Sequence, residues 1–386
     1  MNGLQIGILN LSSHENHVQN VAKIATEIGS VSIFSTREIY DRVKNTSCRN
    51  EHLIDWVVMK HLESEREFLA RVENKIDAGI DILISFPFYG NILDYMNYAS
   101  FNPDCEYFLY AFDINSILGI NPTLTLEMYN YLKYPLKKMI LYRTDHILVE
   151  YPTIAKYVSS ENPSISVESF TPVLYDSSEK SGLSVRRHEQ RRPNLLTITV
   201  PGMIDSTRRN YNELLEALNK LPEERKEQIR LILLGKPIGD YGSTIIERAK
   251  SLQKDGIRLE YYTDWIPSDT FARKLNSTDV LVNPLRRHRP IDGFVEQYGK
   301  SKGSGAIGNS ISYATPLLLP SWFEVPEQTE PGIDTYHDSA GLQRILTKLI
   351  ENDDYRREWS DGAWKMAQDY SKSRQSERLQ QIIGKK

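Results

Sequence analysis

Residues 195–218, LLTITVPGMIDSTRRNYNELLEAL, decide the fold class of this chain. A β-branched apolar run over residues 195–200 predicts a strand, and Pro201 and Gly202 end it. A helix is predicted to begin near Arg208. The turn between strand and helix would present backbone N–H groups, the positive end of a helix and guanidinium groups to an anion such as a diphosphate. By itself the stretch fits equally a phosphate site and a surface turn whose arginines face water.

The same pattern of a short apolar run and a longer helical segment recurs along the chain and begins twice. The predicted strands of the first half cover residues 4–9, 31–35, 80–86, 107–112 and 146–150. The predicted strands of the second half cover residues 195–200, 230–234, 257–261, 280–283 and 316–319. Such alternation is typical of parallel sheets wrapped by helices, so the sequence predicts an α/β protein.

A polar stretch with little apolar periodicity, residues 175–193, separates the two halves and is interpreted as a linker. The sequence therefore predicts a first domain over residues 1–174 and a second over residues 194–365. Residues 353–383 carry aromatic side chains at near-helical spacing and predict one or two helices. We expect residues 366–386 to form a C-terminal helix that packs back on the first domain.

The composition excludes several classes of protein. Hydrophobic residues make up 40% of the chain and charged residues 25%, which is typical of a folded globular protein and excludes collagen-like and disordered chains. Lys and Arg number 47 against 51 Asp and Glu, and this balance argues against a dedicated duplex-binding protein. The arginine run within residues 186–192 is interpreted as a solvated part of the linker. Cys48 and Cys105 cannot build a disulfide framework, and neither a signal peptide nor a transmembrane segment is recognisable, so we expect a cytoplasmic protein.

Two further glycine-containing turns are candidate anion sites. In LILLGKPIGDYG, Gly235 and Lys236 follow a predicted strand at its carboxyl end, where open α/β sheets place ligands, but the P-loop spacing is absent. In YGKSKGSGAIGNSISYATP, a glycine- and lysine-rich stretch, residues 300–305, precedes a helix predicted over residues 306–313. Glycines allow close backbone approach and lysines add charge, which suits a phosphate or sugar hydroxyls. The alternative is a flexible Gly-rich loop.

The sequence offers little support for metal or nucleophilic chemistry. His14 and His17 are the only closely spaced histidines, and no third metal ligand is identifiable, so a polar cluster at a helix start is the favoured interpretation. The one GxSxG match, GKSKG at residues 299–303, does not directly follow a predicted strand, so no nucleophile elbow is recognisable, which argues against a serine hydrolase of that type. The chain also has no GxGxxG motif after the first strand, which disfavours a nicotinamide-dependent dehydrogenase.

Taken together, the second half resembles the donor-binding domain of GT-B glycosyltransferases, especially the group 1 family. The resemblance covers roughly residues 195–351 and rests on the order of its parts: PGMIDSTRRNY, LILLG, LEYYTDWIPSDTF, LNSTDVLVNPL and YATPLLLP. TDHILVEYP, before the linker, resembles the end of the family's acceptor domain. The resemblance implies two Rossmann-like, doubly wound domains that face a cleft.

The chain departs from the family pattern at two places. The family carries two glutamates separated by seven residues in its final loop and helix, and Ser301 and Asn309 occupy those positions here. The family's basic residue after the first glycine falls on Met203, which leaves Arg208 or Arg209 for the second basic position. These departures imply a divergent family and leave the stereochemical outcome open.

The resemblance implies an enzyme that transfers a sugar from a nucleotide diphosphate sugar to an unidentified acceptor, without a cofactor or an essential metal. UDP is one candidate nucleotide, and the acceptor candidates are a glycan, a lipid-linked sugar, a protein or a modified nucleic acid. The expected donor-binding residues are Gly202, Arg208, Arg209, Lys236, Trp265, Ile266, Lys302, Gly303, Ser304, Gly305 and Asn309. Trp265 and Ile266 are expected to flank the base and Asn309 to contact the ribose. Asp113, at the end of YFLYAFD, is the candidate general base, and His14 is its rival.

Three alternatives stay open at this stage. The same fold hosts nucleotide-sugar epimerases, so donor recognition does not fix the reaction. A glycosyltransferase acting on modified DNA bases would use RRHR at residues 286–289, although the negative net charge argues against it. The missing acidic pair also permits a catalytically inactive module that only binds a nucleotide sugar.

Overall fold

The structure, a computed structural model, describes residues 3–44, 53–123, 128–175 and 195–384. The predicted linker, apart from Tyr175, and its arginine run lie outside these residues, as does Cys48.

The chain forms two compact units, and each draws on separate stretches of sequence. The first unit contains Met1–Val173, Pro290–Gly303 and Lys372–Lys386. The second contains Leu174–Arg289 and Ser304–Ser371. This division differs from the continuous second domain expected over residues 194–365, because a stretch after its fourth strand belongs to the first unit.

The first unit is built on a seven-stranded parallel sheet of order β3-β2-β1-β4-β5-β6-β7. Its strands are β1 (Leu4–Asn10), β2 (Gly29–Ser35), β3 (Ile54–Val58), β4 (Ile82–Ser85), β5 (Glu106–Tyr110), β6 (His146–Val149) and β7 (Ser166–Ser169). Its helices are α1 (Glu15–Ala25), α2 (Arg37–Lys44), α3 (Glu65–Asp77), α4 (Ile92–Ser100), α5 (Ile114–Leu118), α6 (Met128–Tyr142) and α7 (Pro152–Glu161). The central strands are largely apolar because helices cover a parallel sheet on both faces.

The second unit is built on a six-stranded parallel sheet of order β10-β9-β8-β11-β14-β15. Its strands are β8 (Leu196–Pro201), β9 (Ile229–Leu234), β10 (Arg258–Tyr261), β11 (Val280–Val282), β14 (Leu317–Pro320) and β15 (Ile333–Tyr336). Its helices are α8 (Tyr211–Asn219), α9 (Glu223–Lys226), α10 (Gly239–Lys254), α11 (Ser268–Asn276), α12 (Gly305–Tyr313), a 3₁₀ helix (Glu327–Gly332), α13 (Ser339–Glu351) and α14 (Asp353–Gln368). Counted within the unit, this is the 3-2-1-4-5-6 order of Rossmann-type sheets.

The predicted α/β class and the two Rossmann-like sheets are confirmed. In both sheets the strand order reverses between the first strand and the fourth, at β1/β4 and at β8/β11. Open α/β sheets bind ligands outside the carboxyl ends of their strands at this point. The strand order therefore predicts a ligand site at the carboxyl ends of β1 and β4 in the first unit and of β8 and β11 in the second.

A two-stranded β-hairpin, β12 (His288–Ile291) and β13 (Phe294–Gln297), follows β11. Asp292 and Gly293 both have positive φ, 49° and 80°, as a tight two-residue hairpin turn requires. The hairpin packs on α5 of the first unit, and Val295 N–H donates to the carbonyl oxygen of Asn121. This excursion carries residues 298–303 into the first unit.

The last helix, α15 (Lys372–Ile383), also belongs to the first unit and packs on α1. The buried side-chain amide of Gln375 donates to the carbonyl oxygens of Thr171 and Val173, at 2.6 and 2.9 Å. Leu379 on the same helix is fully buried. The helix therefore contributes to the core of the first unit.

Candidate functional site

The turn after β8 ends the strand as the sequence predicted, with Gly202 at φ 91°. The turn after β9 lies directly beside it. A Cβ atom at Gly235 would come within 2.1 Å of the carbonyl oxygen of Gly202, so only glycine allows the two turns to approach this closely. The helix that follows, α8, begins at Tyr211, three residues later than expected.

Arg209 holds the turn after β8 together. Its guanidinium group donates to the carbonyl oxygens of Pro201 and Met203, at 2.6 and 2.7 Å, and to Oδ1 of Asn283 at 3.2 Å. The side chain is buried. This arginine, which was expected to bind the donor, therefore makes three hydrogen bonds within the protein that fix the shape of the turn.

Asn283, directly after β11, links this turn to the helix α12. Its Nδ2 donates to Oγ of Ser304 at 2.9 Å, and Ser304 is the N-cap of α12. The chain Arg209–Asn283–Ser304 thus joins the ends of β8, β11 and α12 at the strand-order reversal. Sequence analysis missed Asn283, although a polar residue directly after a buried strand is a recognisable signal.

Two residues of α12, Gly305 and Asn309, leave room for a ligand. A Cβ atom at Gly305 would meet no atom within 4 Å. The half-buried side chain of Asn309 makes no hydrogen bond with the described residues. Both residues lie on the first turns of a nine-residue helix, whose N-terminus attracts negative charge.

Two cations of the second unit lie near solvent in the turns after β8 and β9. Arg208 Nε is 3.3 Å from Oδ2 of Asp205, and Lys236 Nζ is 2.9 Å from Oδ1 of Asp264. The hydrogen bond from Lys236 lowers the pKa of Asp264. Trp265 follows in the loop between β10 and α11 and is 70% exposed, with the half-buried Ile266 beside it. These residues follow neighbouring strands at the same edge of the sheet.

In the first unit, the loops at the carboxyl ends of β1, β4 and β5 bring His14, Tyr89 and Asp113 together. The Tyr89 hydroxyl donates to Oδ2 of Asp113 at 3.3 Å and lies 3.4 Å from Nε2 of His14. The His14 ring stacks on Phe112 with centroids 4.1 Å apart. His14 has a left-handed backbone, φ 70°, at the start of α1. Tyr89 connects the two candidates for the general base, and sequence analysis did not identify it.

Lys302 is placed differently from the expectation that it binds the donor within the second domain. It belongs to the first unit, and its Nζ lies 2.5 Å from Oδ1 of Asp113. Gly303 packs on Glu150, the residue after β6: a Cβ atom at Gly303 would lie 1.8 Å from Oε2 of Glu150. The lysine and glycine expected beside the donor therefore contact the carboxylates of the first unit.

Glu296 on β13 holds this arrangement in place. Its fully buried carboxylate accepts hydrogen bonds from the backbone N–H groups of Asn115 and Ser116, at 3.2 and 2.9 Å, and from Oγ of Ser301 at 2.6 Å. The N–H of Ile114 donates to the carbonyl oxygen of Ser301. Ser301, which occupies a glutamate position of the group 1 pattern, is therefore bonded to a carboxylate five residues earlier in the chain.

Burial shifts the pKa values of two histidines and two glutamates in this part of the first unit. It lowers the pKa of His14 to about 4, with Lys302 contributing, and that of His17 to about 3, so both rings are neutral at pH 7. It raises the pKa of Glu150 to about 7, although Lys302 opposes the shift, and that of Glu296 also to about 7. The first unit thus combines two neutral imidazoles with two carboxyl groups whose pKa values lie near neutral pH.

In the described part of the chain, no three His, Cys, Asp or Glu side chains are grouped so that they could hold a metal ion.

No helix among the described residues is both long enough and apolar enough to cross a bilayer.

No family model matches the sequence, and no curated protein sequence matches it. Solved structures do match over nearly the whole chain. Anabaena HepE in complex with UDP and glucose is 12% identical, with a TM-score of 0.64 over 99% of both chains. Sucrose-phosphate synthase from Thermosynechococcus elongatus is 12% identical, with a TM-score of 0.63 over 98% of both chains.

WaaG, a glycosyltransferase involved in lipopolysaccharide biosynthesis, is 14% identical, with a TM-score of 0.61 over 99% of this chain and 100% of its own. Such low identities inform about the fold alone. The coverage includes both parallel sheets of this chain, whose α/β architecture matches that of the two-domain neighbours. The protein therefore has the two-domain GT-B fold, in a form divergent from the solved group 1 glycosyltransferases.

Proposed function

We propose that the protein is a glycosyltransferase that transfers a sugar from a nucleotide diphosphate sugar to an acceptor. The observation that carries this proposal is the match over 99% of the chain to HepE, which was solved with UDP and glucose. The second unit supports it independently, because its strand-order reversal combines close glycine turns, two cations near solvent and a helix N-terminus.

In this proposal the diphosphate binds between the turns after β8 and β9 and the start of α12. Arg208 and Lys236 each pair with one aspartate, and a diphosphate carries more charge than either carboxylate. The diphosphate oxygens would replace these two aspartates as the partners of Arg208 and Lys236. Asn309 provides an amide for the ribose, and Trp265 provides an exposed ring on which a base can stack. Arg209 acts indirectly, by fixing the turn.

Transfer breaks the bond between the sugar carbon and the diphosphate oxygen, which keeps the electron pair, and forms a bond from that carbon to the acceptor oxygen. Arg208, Lys236 and the N-terminus of α12 would stabilise the negative charge of the leaving group, so we propose that no metal is required. The acceptor hydroxyl loses its proton to a base. Both oxygens of Asp113 already have partners, Lys302 and Tyr89, whereas His14 is neutral at pH 7. We therefore place His14 beside Asp113 as an equal candidate for this base.

Calorimetry with UDP tests the donor site. Arg208→Ala should weaken UDP binding by roughly 10- to 100-fold, because a charge-assisted hydrogen bond contributes about 1.5–3 kcal/mol. Uridine, which lacks the phosphates, should bind both proteins equally. Arg357→Ala is the matched control, because Arg357 also pairs with an aspartate three residues earlier, at 3.7 Å. Equal UDP binding by Arg208→Ala and wild type would show that the donor site is misplaced.

Product analysis tests the reaction. The protein is incubated with UDP, GDP, ADP and dTDP sugars and candidate acceptors, and the products are separated by chromatography. Release of the nucleoside diphosphate together with a glycosylated acceptor supports the proposal. An isomeric nucleotide sugar would instead identify an epimerase, and tight binding without any product from the panel would favour an inactive binding module.

A further inference from the structure

A basic stretch, RRHR at residues 286–289, follows β11 at the end of the second unit's first segment pair and is called here the 286–289 run. Arg286 and Arg287 are exposed, and Arg289 is half-buried. Within the part of the chain that the structure describes, none of these three guanidinium groups makes a hydrogen bond or an ion pair. Residues 280–291 contain no acidic residue that could offset the charge of the run.

Backbone pairing places the start of the run beside the turn after β8. Arg209 and Leu285 form an antiparallel β-bridge. Arg286 donates its N–H to the carbonyl oxygen of Arg208 at 2.9 Å, so the two arginines are directly opposite each other. Opposed residues of an antiparallel pair have Cβ atoms about 4.5–5.5 Å apart, and like charges there are destabilising. Asp205 pairs with Arg208 at 3.3 Å, but Arg286 has no such partner among the described residues, and a bound anion would supply one.

The position of the run in the sheet separates it from the other cation of the candidate donor site. The two neighbours of β8 are β9, which Lys236 follows, and β11, which the run follows. The run and Lys236 therefore lie on opposite sides of the turn after β8. In the proposed function, Arg208, Lys236 and the N-terminus of α12 already offset the charge of the donor's diphosphate. The three further guanidinium groups indicate a second anion beside it.

The chemistry of the run indicates which anion it binds. A guanidinium group is always charged and matches the oxygens of a phosphate in bidentate geometry. A phosphate monoester carries a charge of about −1.5 to −2 at pH 7 and three strong acceptor oxygens, which suit a short group of arginines. A nucleic-acid backbone is instead bound by basic side chains spread over a whole face of a protein, and this chain has a net charge of −4.

We propose that the 286–289 run binds a phosphate monoester on the acceptor, so that the acceptor is a phosphorylated small molecule such as a sugar phosphate. The phosphate takes no part in the transfer itself. It orients the acceptor, and a separate hydroxyl of the acceptor forms the new bond to the sugar. The inference rests on the proposed glycosyltransferase function for the acceptor's role, whereas phosphate binding by the run can be measured without any transfer.

Calorimetry with inorganic phosphate, with and without saturating UDP, tests the proposal. Wild type should bind phosphate in both conditions, and it should bind glucose 6-phosphate more tightly than glucose. The double variant Arg286→Ala/Arg287→Ala should bind phosphate at least about tenfold more weakly, because two charge-assisted contacts are lost, and should bind UDP as wild type does. Arg258→Ala is the matched control. Arg258 is exposed in the same unit and makes no ion pair with the described residues, but it begins β10, at the opposite edge of the sheet from the strand ends that carry the site.

Several results would overturn the proposal. Wild type and the double variant could bind phosphate equally, or neither could bind it, or Arg258→Ala could lower binding as much as the double variant. Saturating UDP could displace phosphate while the double variant also binds UDP more weakly, and the run would then belong to the donor site. A short oligothymidylate could bind more tightly than phosphate and lose that binding in the double variant, which would indicate a nucleic-acid partner.

The same titrations keep this inference separate from the proposed function. UDP binding that depends on Arg208, together with any of these contrary results for phosphate, would overturn the inference about the acceptor alone. Wild-type protein that binds phosphate but not UDP would contradict the proposed donor site instead.

Discussion

Replacing His17 by glutamine should make the first unit less sensitive to acid. His17 lies on α1, and its ring centroid is 5.5 Å from that of His14 and 5.1 Å from that of Phe112. Burial lowers the pKa of His17 from 6.5 to about 3, with the neighbouring His14 adding to the effect. Near pH 5 the folded protein therefore keeps this ring neutral, whereas the unfolded chain protonates it.

The sign of the effect follows from the protons bound in each state. Below pH 6.5 the unfolded chain binds more protons at His17 than the folded chain does, so this residue lowers stability as the pH falls. Between pH 7.5 and pH 5, with the limiting slope of about 1.36 kcal/mol per pH unit approached only below pH 6.5, wild type loses about 2 kcal/mol through His17. The raised pKa values of Glu150 and Glu296 act in the opposite direction, because there the folded state binds more protons. Glu150 and Glu296 are present in both proteins. The difference in stability between wild type and His17→Gln therefore reports the effect of His17.

Urea unfolding near pH 7.5 and near pH 5 measures the difference. At the higher pH the variant should be the less stable protein, because it lacks the ring contacts. At the lower pH it should gain about 2 kcal/mol relative to wild type. His61→Gln, which removes an exposed histidine of the same unit, is the control. A stability difference between His17→Gln and wild type that is identical at both pH values would refute the reasoning.

Gly303→Ala should destabilise the protein by about 1–3 kcal/mol in urea, because the new Cβ overlaps the Glu150 carboxylate, whereas Gly305→Ala, whose Cβ meets open space, should not. Equal effects of the two variants would contradict this. Leu379→Ala should cost about 2–5 kcal/mol and accelerate amide exchange in α1, and a loss of protection confined to the second unit would count against the described packing. Sugar transfer should survive EDTA, and an activity that EDTA abolishes and manganese or magnesium restores would rule out metal independence.

The sequence predicted the central strands well because both faces of a parallel sheet are buried, which leaves continuous apolar runs such as that of β8. It missed β3, β7 and β15, which lie at sheet edges and each carry an acidic residue, Asp55, Glu168 and Asp334. It also missed the β12–β13 hairpin, although Asp292-Gly293 is a strong turn signal. Edge strands and short hairpins lack the apolar run on which the prediction relied.

The candidate site was predictable as a set of loops but not as a set of contacts. Arg208 and Arg209 are neighbours that no sequence pattern distinguishes, yet Arg209 is buried with three acceptors and Arg208 lies near solvent beside Asp205. Lys302 pairs with Asp113, which is 189 residues away in the chain. Side-chain partners at such separation depend on the path of the whole chain, and local periodicity does not record that path.

The first unit is assembled from three separate stretches of sequence, so the ribosome completes it only when the end of the chain has been synthesised. Residues up to Val173 emerge early, but Leu379 follows about 200 residues later, roughly 10–40 seconds at ordinary elongation rates. During that interval α1 lacks the helix that packs on it, the carbonyl oxygens of Thr171 and Val173 lack the Gln375 amide, and Asp113 lacks Lys302. The first unit therefore cannot complete its core until the last helix has been synthesised, and an early stop codon would leave the apolar surface that Leu379 covers open to solvent.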